Sequence, residues 1–324
     1  MNMSWIFLAI ASYFFSALSQ IIDKIILHTR LPSAVTYAFY TGISSIFVLI
    51  LLPFGVSWLP LPVLWLALAS GIVFVPAVYL LYFSLRRCDV SRIVPIIGGA
   101  IPIFLLLISF VWFGQWLNAR QLGAVALFII GGLILATEAE HAERVDTFAS
   151  HLLGMRGHRL KICNYESGRG MSAAIGSAFF FALTYFLSKQ VYAFPTPFLS
   201  EFFWIRMGSA LGGLLMLAIP LWRKKIFKAT PTISRSSASI LFGNKMIGAT
   251  GFFLLNMSFS VALDQNYIVI INAMKGLEHF FIFVLSFFLS LFYPHLLREK
   301  LDYHSIILKL AGIAFIGFGF AYLV

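Results

Sequence analysis

The sequence predicts an all-α membrane protein with ten transmembrane helices, arranged as two inverted five-helix repeats. Three observations predict this fold: the composition, a series of long apolar runs, and the distribution of basic residues. Of the 324 residues, 60% are hydrophobic and 11% are charged, and the mean hydropathy is +0.94. Soluble domains are about half apolar and a quarter charged, so this chain is suited to lipid rather than water.

The apolar runs are each close to the roughly 20 residues that a helix needs to cross a bilayer. They are long and continuous, whereas the strands of a membrane barrel would give short alternating segments. Helices also satisfy their own backbone hydrogen bonds, which lipid cannot do. We place the spans at 3–22, 33–54, 62–84, 92–114, 119–137, 172–189, 199–221, 240–262, 267–292 and 304–323.

The basic residues indicate the orientation. Most of the 23 Lys and Arg residues fall in the connections after spans one, three, five, seven and nine. The positive-inside rule therefore predicts that these connections are cytoplasmic and that both termini lie outside. The formal charge of +11 then reflects topology, and we expect no nucleic-acid partner. We expect a multi-pass protein of a bacterial inner (plasma) membrane, with the lipid bilayer as its surroundings.

The two halves of the sequence repeat weakly. Ala17–Ser19, followed by Lys24, aligns with Ala182–Thr184, followed by Lys189. Five spans is an odd number, so the second half must enter the membrane in the opposite sense. Inverted repeats are typical of secondary transporters, whose sites lie near the bilayer midplane between the repeats. The predicted units are a first repeat at 1–138, a cytoplasmic linker at 139–171 and a second repeat at 172–324.

Short motifs add a family resemblance over nearly all of the chain except the linker. They are Ala17 to Pro32, Tyr82–Leu85 leading into Val90–Pro95, Gly114 to Gly132, and Glu299 to Gly312. Together they resemble the EamA-like family of the drug/metabolite transporter superfamily. The resemblance implies a secondary transporter of a small metabolite, amino acid or amphipathic drug that works by alternating access. A lipid-linked headgroup flippase belongs to the same broad class and stays open.

Span nine holds ionisable residues near its middle. Steps of three and four place Asn272, Lys275 and His279 along one helical stripe, with Glu278 beside it. A charge at the bilayer centre costs about 2.5–3.5 kcal/mol on insertion scales, so such groups suggest function. We predict a substrate or proton site here, and His279 suits proton handling because histidine titrates near neutral pH. The alternative is a Lys275–Glu278 ion pair that only locks span nine to its neighbours.

Two further candidates lie in the second half. Arg206 of span seven either contacts an anionic group of the solute or snorkels to the outer interface. Asn256, in the middle of span eight, either lines the cavity or bonds another helix. Lys245 and Lys309 fall nearer the ends of their spans, and we expect both to snorkel.

Several classes of site have no sequence motif. The chain contains no GxxxxGK[ST] phosphate loop, no HExxH and no nucleophile elbow. Its two cysteines, Cys88 and Cys163, belong to no metal-binding pattern. We therefore expect no enzyme activity, cofactor or metal, although a membrane enzyme using Glu278 and His279 as acid and base remains an alternative. A membrane subunit that moves no solute is another. Either a monomer or a homodimer is compatible with ten spans.

Overall fold

The computed structural model describes residues 4–26, 33–87, 90–114, 117–152, 167–228, 235–262, 264–292 and 303–323. Over these residues the chain forms helices and no strands. The α-helices are α1 (Ser4–Ile26), α2 (Ala34–Ser44), α3 (Leu61–Leu85), α4 (Val90–Phe113), α5 (Ala119–Leu152), α6 (Ser167–Val191), α7 (Phe198–Leu215), α8 (Pro220–Lys228), α9 (Arg235–Val261), α10 (Tyr267–Ala273), α11 (Gly276–Phe292) and α12 (Tyr303–Leu323).

The apolar helices match the predicted spans in place. Within the described ranges, seven segments are long and apolar enough to cross a membrane: Ser4–Ile22, Ala34–Phe54, Leu61–Leu85, Ile93–Phe113, Gly168–Val191, Phe198–Ala218 and Tyr267–Phe288. Two shorter apolar helices, Ala119–Leu135 and Ile307–Leu323, lie at predicted spans five and ten. Helix α9 lies at predicted span eight. The all-helical, multi-pass membrane character predicted from the sequence is confirmed.

Span two has the predicted bounds but changes helix type along its length, and span seven ends earlier than predicted. Span two begins as α2 and continues as a 3₁₀ helix, Ser45–Phe54, which stops at Gly55 in the left-handed conformation with φ 88°. Span seven was predicted to reach residue 221, but its last turn is a 3₁₀ helix that ends at Ala218. Ile219 is extended because a residue before proline disfavours the helical conformation, and Pro220 then begins α8.

The predicted linker at 139–171 is partly helical. Helix α5 continues through Leu152, and α6 begins at Ser167 rather than at residue 172. Residues 138–152 are rich in alanine and glutamate, which favour helix in water as well as in lipid, so the helix does not stop where the apolar run stops. Residues 153–166 lie outside the described ranges.

The long helices pack through small residues. Helix α1 lies against α9, α3 lies against α6 and α7, and α5 lies against α12. At the α3–α7 contact, a Cβ added to Gly71 would come within 2.1 Å of the Ile205 carbonyl oxygen. Such glycines allow two backbones to approach closely in a membrane protein. One continuous apolar core joins the two halves, and a cavity remains where α1, α4, α6, α9 and the α10–α11 pair meet.

Candidate functional site

The central cavity has a volume of about 180 Å³ and a mixed polar and apolar wall. Helix α1 contributes Ser12 and Ser16, and α6 contributes Tyr185. Phe252 and Leu255 of α9 supply an apolar side. These residues lie near the middle of long helices, so the cavity is at mid-depth in the bundle, where the predicted site was expected.

The helix of span nine is broken at this cavity. Helix α10 ends at Ala273 and α11 begins at Gly276, whereas the sequence predicted one helix over 267–292. The Lys275 amide donates to the Asn272 carbonyl at 3.2 Å, and the Glu278 amide donates to the Lys275 carbonyl at 3.0 Å. These three-residue turns interrupt the regular helical pattern, so the prediction of one continuous helix over 267–292 is wrong. Broken helices at mid-membrane are typical of transporter binding sites.

Glycines allow the break to pack closely against neighbouring helices. A Cβ on Gly276 would lie 3.0 Å from both the Gly132 Cα and the Phe128 carbonyl oxygen of α5. On the other side, a Cβ on Gly98 of α4 would lie 3.6 Å from Lys275 Cδ. The backbone at the break therefore packs directly on α5, while the aliphatic stem of Lys275 runs over α4.

Tyr13 of α1 satisfies a carbonyl group that the break leaves without its helical donor. Its hydroxyl donates to the Ile271 carbonyl oxygen at 2.7 Å. In an unbroken helix that oxygen would accept from the Lys275 amide, which here bonds Asn272 instead. Tyr13 is buried, so this hydrogen bond ties α1 to the break without water. Sequence reasoning missed Tyr13, although a tyrosine in mid-span carries a polar group that needs a partner.

Three of the predicted residues meet at the cavity: Asn272, Lys275 and Glu278. Glu278 is 5% exposed and lies in the first turn of α11, where the partial positive charge of the helix favours a carboxylate. Its Oε1 accepts a hydrogen bond from Gln20 Nε2 of α1. Gln20 is a second residue that sequence reasoning missed, because nothing in the chain pattern links α1 to α11.

His279 faces a second, smaller cavity of about 20 Å³, which lies between α4, α5 and α11. Lys275 lines both cavities and so forms part of the wall between them. A volume of this size holds about one water molecule. The structure therefore separates His279 from the central cavity, although the two sites share Lys275.

Arg206 and Asn256 lie outside the cavity lining, behind Phe252. The Arg206 guanidinium donates to Ser45 Oγ and lies 4.9 Å from the centre of the Phe252 ring, a cation–π distance. Asn256 accepts from the Tyr192 hydroxyl at 3.0 Å and donates to the Phe252 carbonyl at 2.8 Å. Arg206 thus contacts the protein interior rather than snorkelling, and Asn256 bonds Tyr192, in the turn that follows α6. Both side chains contact Phe252, which forms part of the cavity wall.

Two lysines of the spans are buried in the bundle. Lys189, the last residue of predicted span six, lies in α6 and donates to the carbonyls of Phe259 (2.8 Å) and Ala262 at the end of α9. A cation there complements the partial negative charge of the helix C-terminus. Lys309 was expected to snorkel, but it is buried and its ammonium lies 4.4 Å from the centre of the Phe283 ring.

Comparison with known proteins supports the resemblance seen in the sequence. Residues 3–137 match the EamA-like transporter family, which is part of the drug/metabolite transporter superfamily. One protein crystal structure is similar to this chain with a TM-score of 0.65 at 12% identity, covering 100% of this chain and 97% of that one. At this identity the similarity shows the fold alone. Among the curated proteins, none matches the chain.

Proposed function

Since residues 3–137 are EamA-like and the chain is a multi-pass membrane protein, we propose that it is a secondary transporter of a small polar solute. The observation that supports this most is the mid-depth cavity, where Lys275 and Glu278 flank a broken helix. Charged side chains in such a place are costly to insert, so their presence suggests that they serve a solute pathway or bind a ligand. The proposal places the protein in a bacterial inner membrane, with the basic connections in the cytoplasm.

The helix contacts support two five-helix repeats of opposite sense. The first helix of each half packs on the third helix of the other half: α1 on α9, and α6 on α3. The fourth helix of each half packs on the first helix of the other half: α4 on α6, and α11 on α1. Equivalent helices also meet each other, as α2 with α7 and α5 with α12. A twofold axis in the membrane plane would relate these contacts, and inverted-repeat transporters have such an axis.

The size and lining of the cavity favour a small metabolite or amino acid over an amphipathic drug. Pockets for drug-sized ligands are about 300–1,000 Å³, whereas this cavity is about 180 Å³. Two charged side chains and several hydroxyl groups line it, and an apolar drug would leave them without partners. A single chain encloses the cavity, so the proposal needs no second copy.

The break at Lys275 offers a hinge for alternating access. Helix α10 packs mainly on α4, whereas α11 packs on α1, and both also contact α5, so the two parts of span nine share one neighbour and differ in the other. A hinge needs only a few residues at the end of an element to absorb the change in backbone angles. Solute bound between Lys275 and Glu278 would contact both sides of the hinge, and would thereby couple binding to the opening of one side or the other.

Proteoliposome uptake tests the proposal. Solutes that raise the melting temperature of the purified protein are offered to vesicles that contain it. A transporter moves the solute unchanged, an enzyme alters it, a subunit does neither, and a flippase moves only lipid-linked headgroups. We expect Glu278→Gln to lose uptake while the protein still inserts and folds. Asp264→Asn, an exposed matched control, should keep uptake. Full uptake by Glu278→Gln would contradict the proposed site.

A further inference from the structure

Helix α8 follows span seven at the membrane surface. The span ends at Ala218 and α8 begins at Pro220, so this helix starts at the boundary between lipid and water. Its nine residues extend over about 14 Å, which is less than half of the apolar thickness of a bilayer. The helix is therefore too short to cross the membrane, and its side chains are at the level of the lipid headgroups.

Basic and large apolar side chains are exposed together on α8. Arg223, Lys224 and Lys225 are exposed. Leu221 and Phe227 are 72% and 70% exposed, and steps of three place them on one stripe with Lys224. Basic residues beside exposed leucine and phenylalanine are typical of a helix that lies in a membrane interface. The positive-inside rule alone would require no apolar side chains beside the cations.

The opposite side of α8 is attached to the bundle. Ile226 is buried, and the Thr36 hydroxyl of α2 donates to the Lys225 carbonyl oxygen at 3.5 Å. The Trp222 ring lies 5.3 Å from the Tyr79 ring of α3, measured between ring centres. These contacts fix α8 against α2 and α3, so its exposed cations have a defined position at this end of the bundle.

A row of half-buried rings leads from α8 to a further cation at the end of α3. Tyr79, which contacts Trp222, lies 5.9 Å from Phe83 between ring centres. The Arg87 guanidinium lies 3.7 Å from the centre of the Phe83 ring. Aromatic side chains gather at the headgroup level of a membrane, and a guanidinium at that level can form charge-assisted hydrogen bonds with a lipid phosphate.

Among the described residues, no carboxylate pairs with any of these exposed or half-buried cations. Clusters of basic residues directly after a membrane span attract anionic lipids. We infer that α8 and the end of α3 form a binding site for the phosphate group of an anionic phospholipid, through Arg87, Arg223, Lys224 and Lys225. The apolar stripe of α8 contacts the acyl chains, so the ligand is a lipid rather than a soluble phosphate.

Native mass spectrometry of the purified full-length protein tests the inference. The protein in detergent is titrated with phosphatidylglycerol, which is anionic, or with phosphatidylcholine of the same acyl chains, which is zwitterionic. Each basic residue near an anionic surface strengthens binding about fivefold. We therefore expect the combined substitutions Arg223→Gln, Lys224→Gln and Lys225→Gln to weaken phosphatidylglycerol binding roughly ten- to hundredfold and to leave phosphatidylcholine binding unchanged.

A matched control removes the same charge elsewhere. The combined substitutions Arg120→Gln, Arg169→Gln and Lys245→Gln change exposed residues on three other helices, and this variant should bind both lipids as the parent does. Leu221→Ser together with Phe227→Ser should weaken the binding of both lipids, because the acyl chains lose apolar contacts. All substituted positions are exposed, so each variant should keep the melting temperature of the parent.

Three results would overturn the inference. One is equal binding of the two lipids by the parent, and another is equal weakening in the two charge variants, since the cations would then act only through net charge. The third is displacement of phosphatidylglycerol by soluble glycerol phosphate, because the site would then bind a free phosphate. Solute uptake is measured separately, so the inference and the transport proposal can fail independently of each other.

Discussion

The close approach of α5 and α11 at Gly132 and Gly276 predicts a large effect from a single methyl group. In Gly132→Ala, the new Cβ would lie 2.8 Å from the Gly276 Cα. Ordinary contact begins at 3.4 Å, so the helices must separate by about 0.6 Å. Because the neighbouring atoms belong to backbone, no side chain can turn aside to accommodate the methyl group. The displaced backbone is the break beside Lys275.

The expected magnitude follows from two opposing terms. Overpacking a tight contact typically costs about 1–3 kcal/mol. Alanine regains about 0.5–1 kcal/mol because glycine is the poorer helix former. We therefore expect Gly132→Ala to lower the free energy of unfolding by roughly 1 kcal/mol. Gly243→Ala is the matched control, since nothing lies within 4 Å of a Cβ at this position in α9, and it should be neutral or stabilising.

Unfolding by SDS titration in mixed micelles measures both variants, and uptake is assayed on the same preparations. Gly132→Ala should be less stable than Gly243→Ala and should transport poorly, because the methyl group moves the backbone at the cavity. If Gly132→Ala matched the parent in stability and in uptake, the packing of α5 on the break would be refuted.

Two further substitutions test hydrogen bonds between helices. Lys189→Met removes two hydrogen bonds from a buried cation to the end of α9, and it should cost about 1.5–3 kcal/mol of unfolding free energy in the same titration. Lys245→Met, at an exposed lysine of α9, should cost little. If the two substitutions lowered the unfolding free energy equally, the stabilising role of Lys189 at the end of α9 would be contradicted. Tyr13→Phe should cost about 0.5–1.5 kcal/mol and slow uptake, because the Ile271 carbonyl loses its donor. Tyr322→Phe, an exposed control, should behave as the parent does, and an active, stable Tyr13→Phe would show that the break needs no support from α1.

Much of the fold could be predicted because lipid imposes a simple rule on sequence. A run of about 20 apolar residues must be a helix, and spans such as 62–84 correspond closely to α3, Leu61–Leu85. The rule says nothing about where a helix ends in water. The prediction therefore stopped the helix of span five at residue 137, although α5 continues to Leu152.

The candidate site was predicted only in part, for a related reason. Lys275 and Glu278 were identifiable because charge is rare inside a span. At the break between α10 and α11, Gly276 packs on α5 and the Ile271 carbonyl accepts from the Tyr13 hydroxyl, and neither contact has a local signal in the sequence. Gln20 is similarly distant from Glu278 in sequence, so its contact appears only when the helices are packed.

The most direct test of the central claim asks whether the cavity opens to each side of the membrane in turn. Ser16→Cys places a thiol in the cavity wall, in a chain whose only cysteines, Cys88 and Cys163, are first replaced by serine. A membrane-impermeant thiol reagent is added to one side of oriented, sealed vesicles. The account predicts labelling from either side and protection by the transported solute. It also predicts no labelling of Ser177→Cys, which is buried between α6 and α3. Labelling of Ser16→Cys from one side alone, or from neither, would contradict alternating access to this cavity.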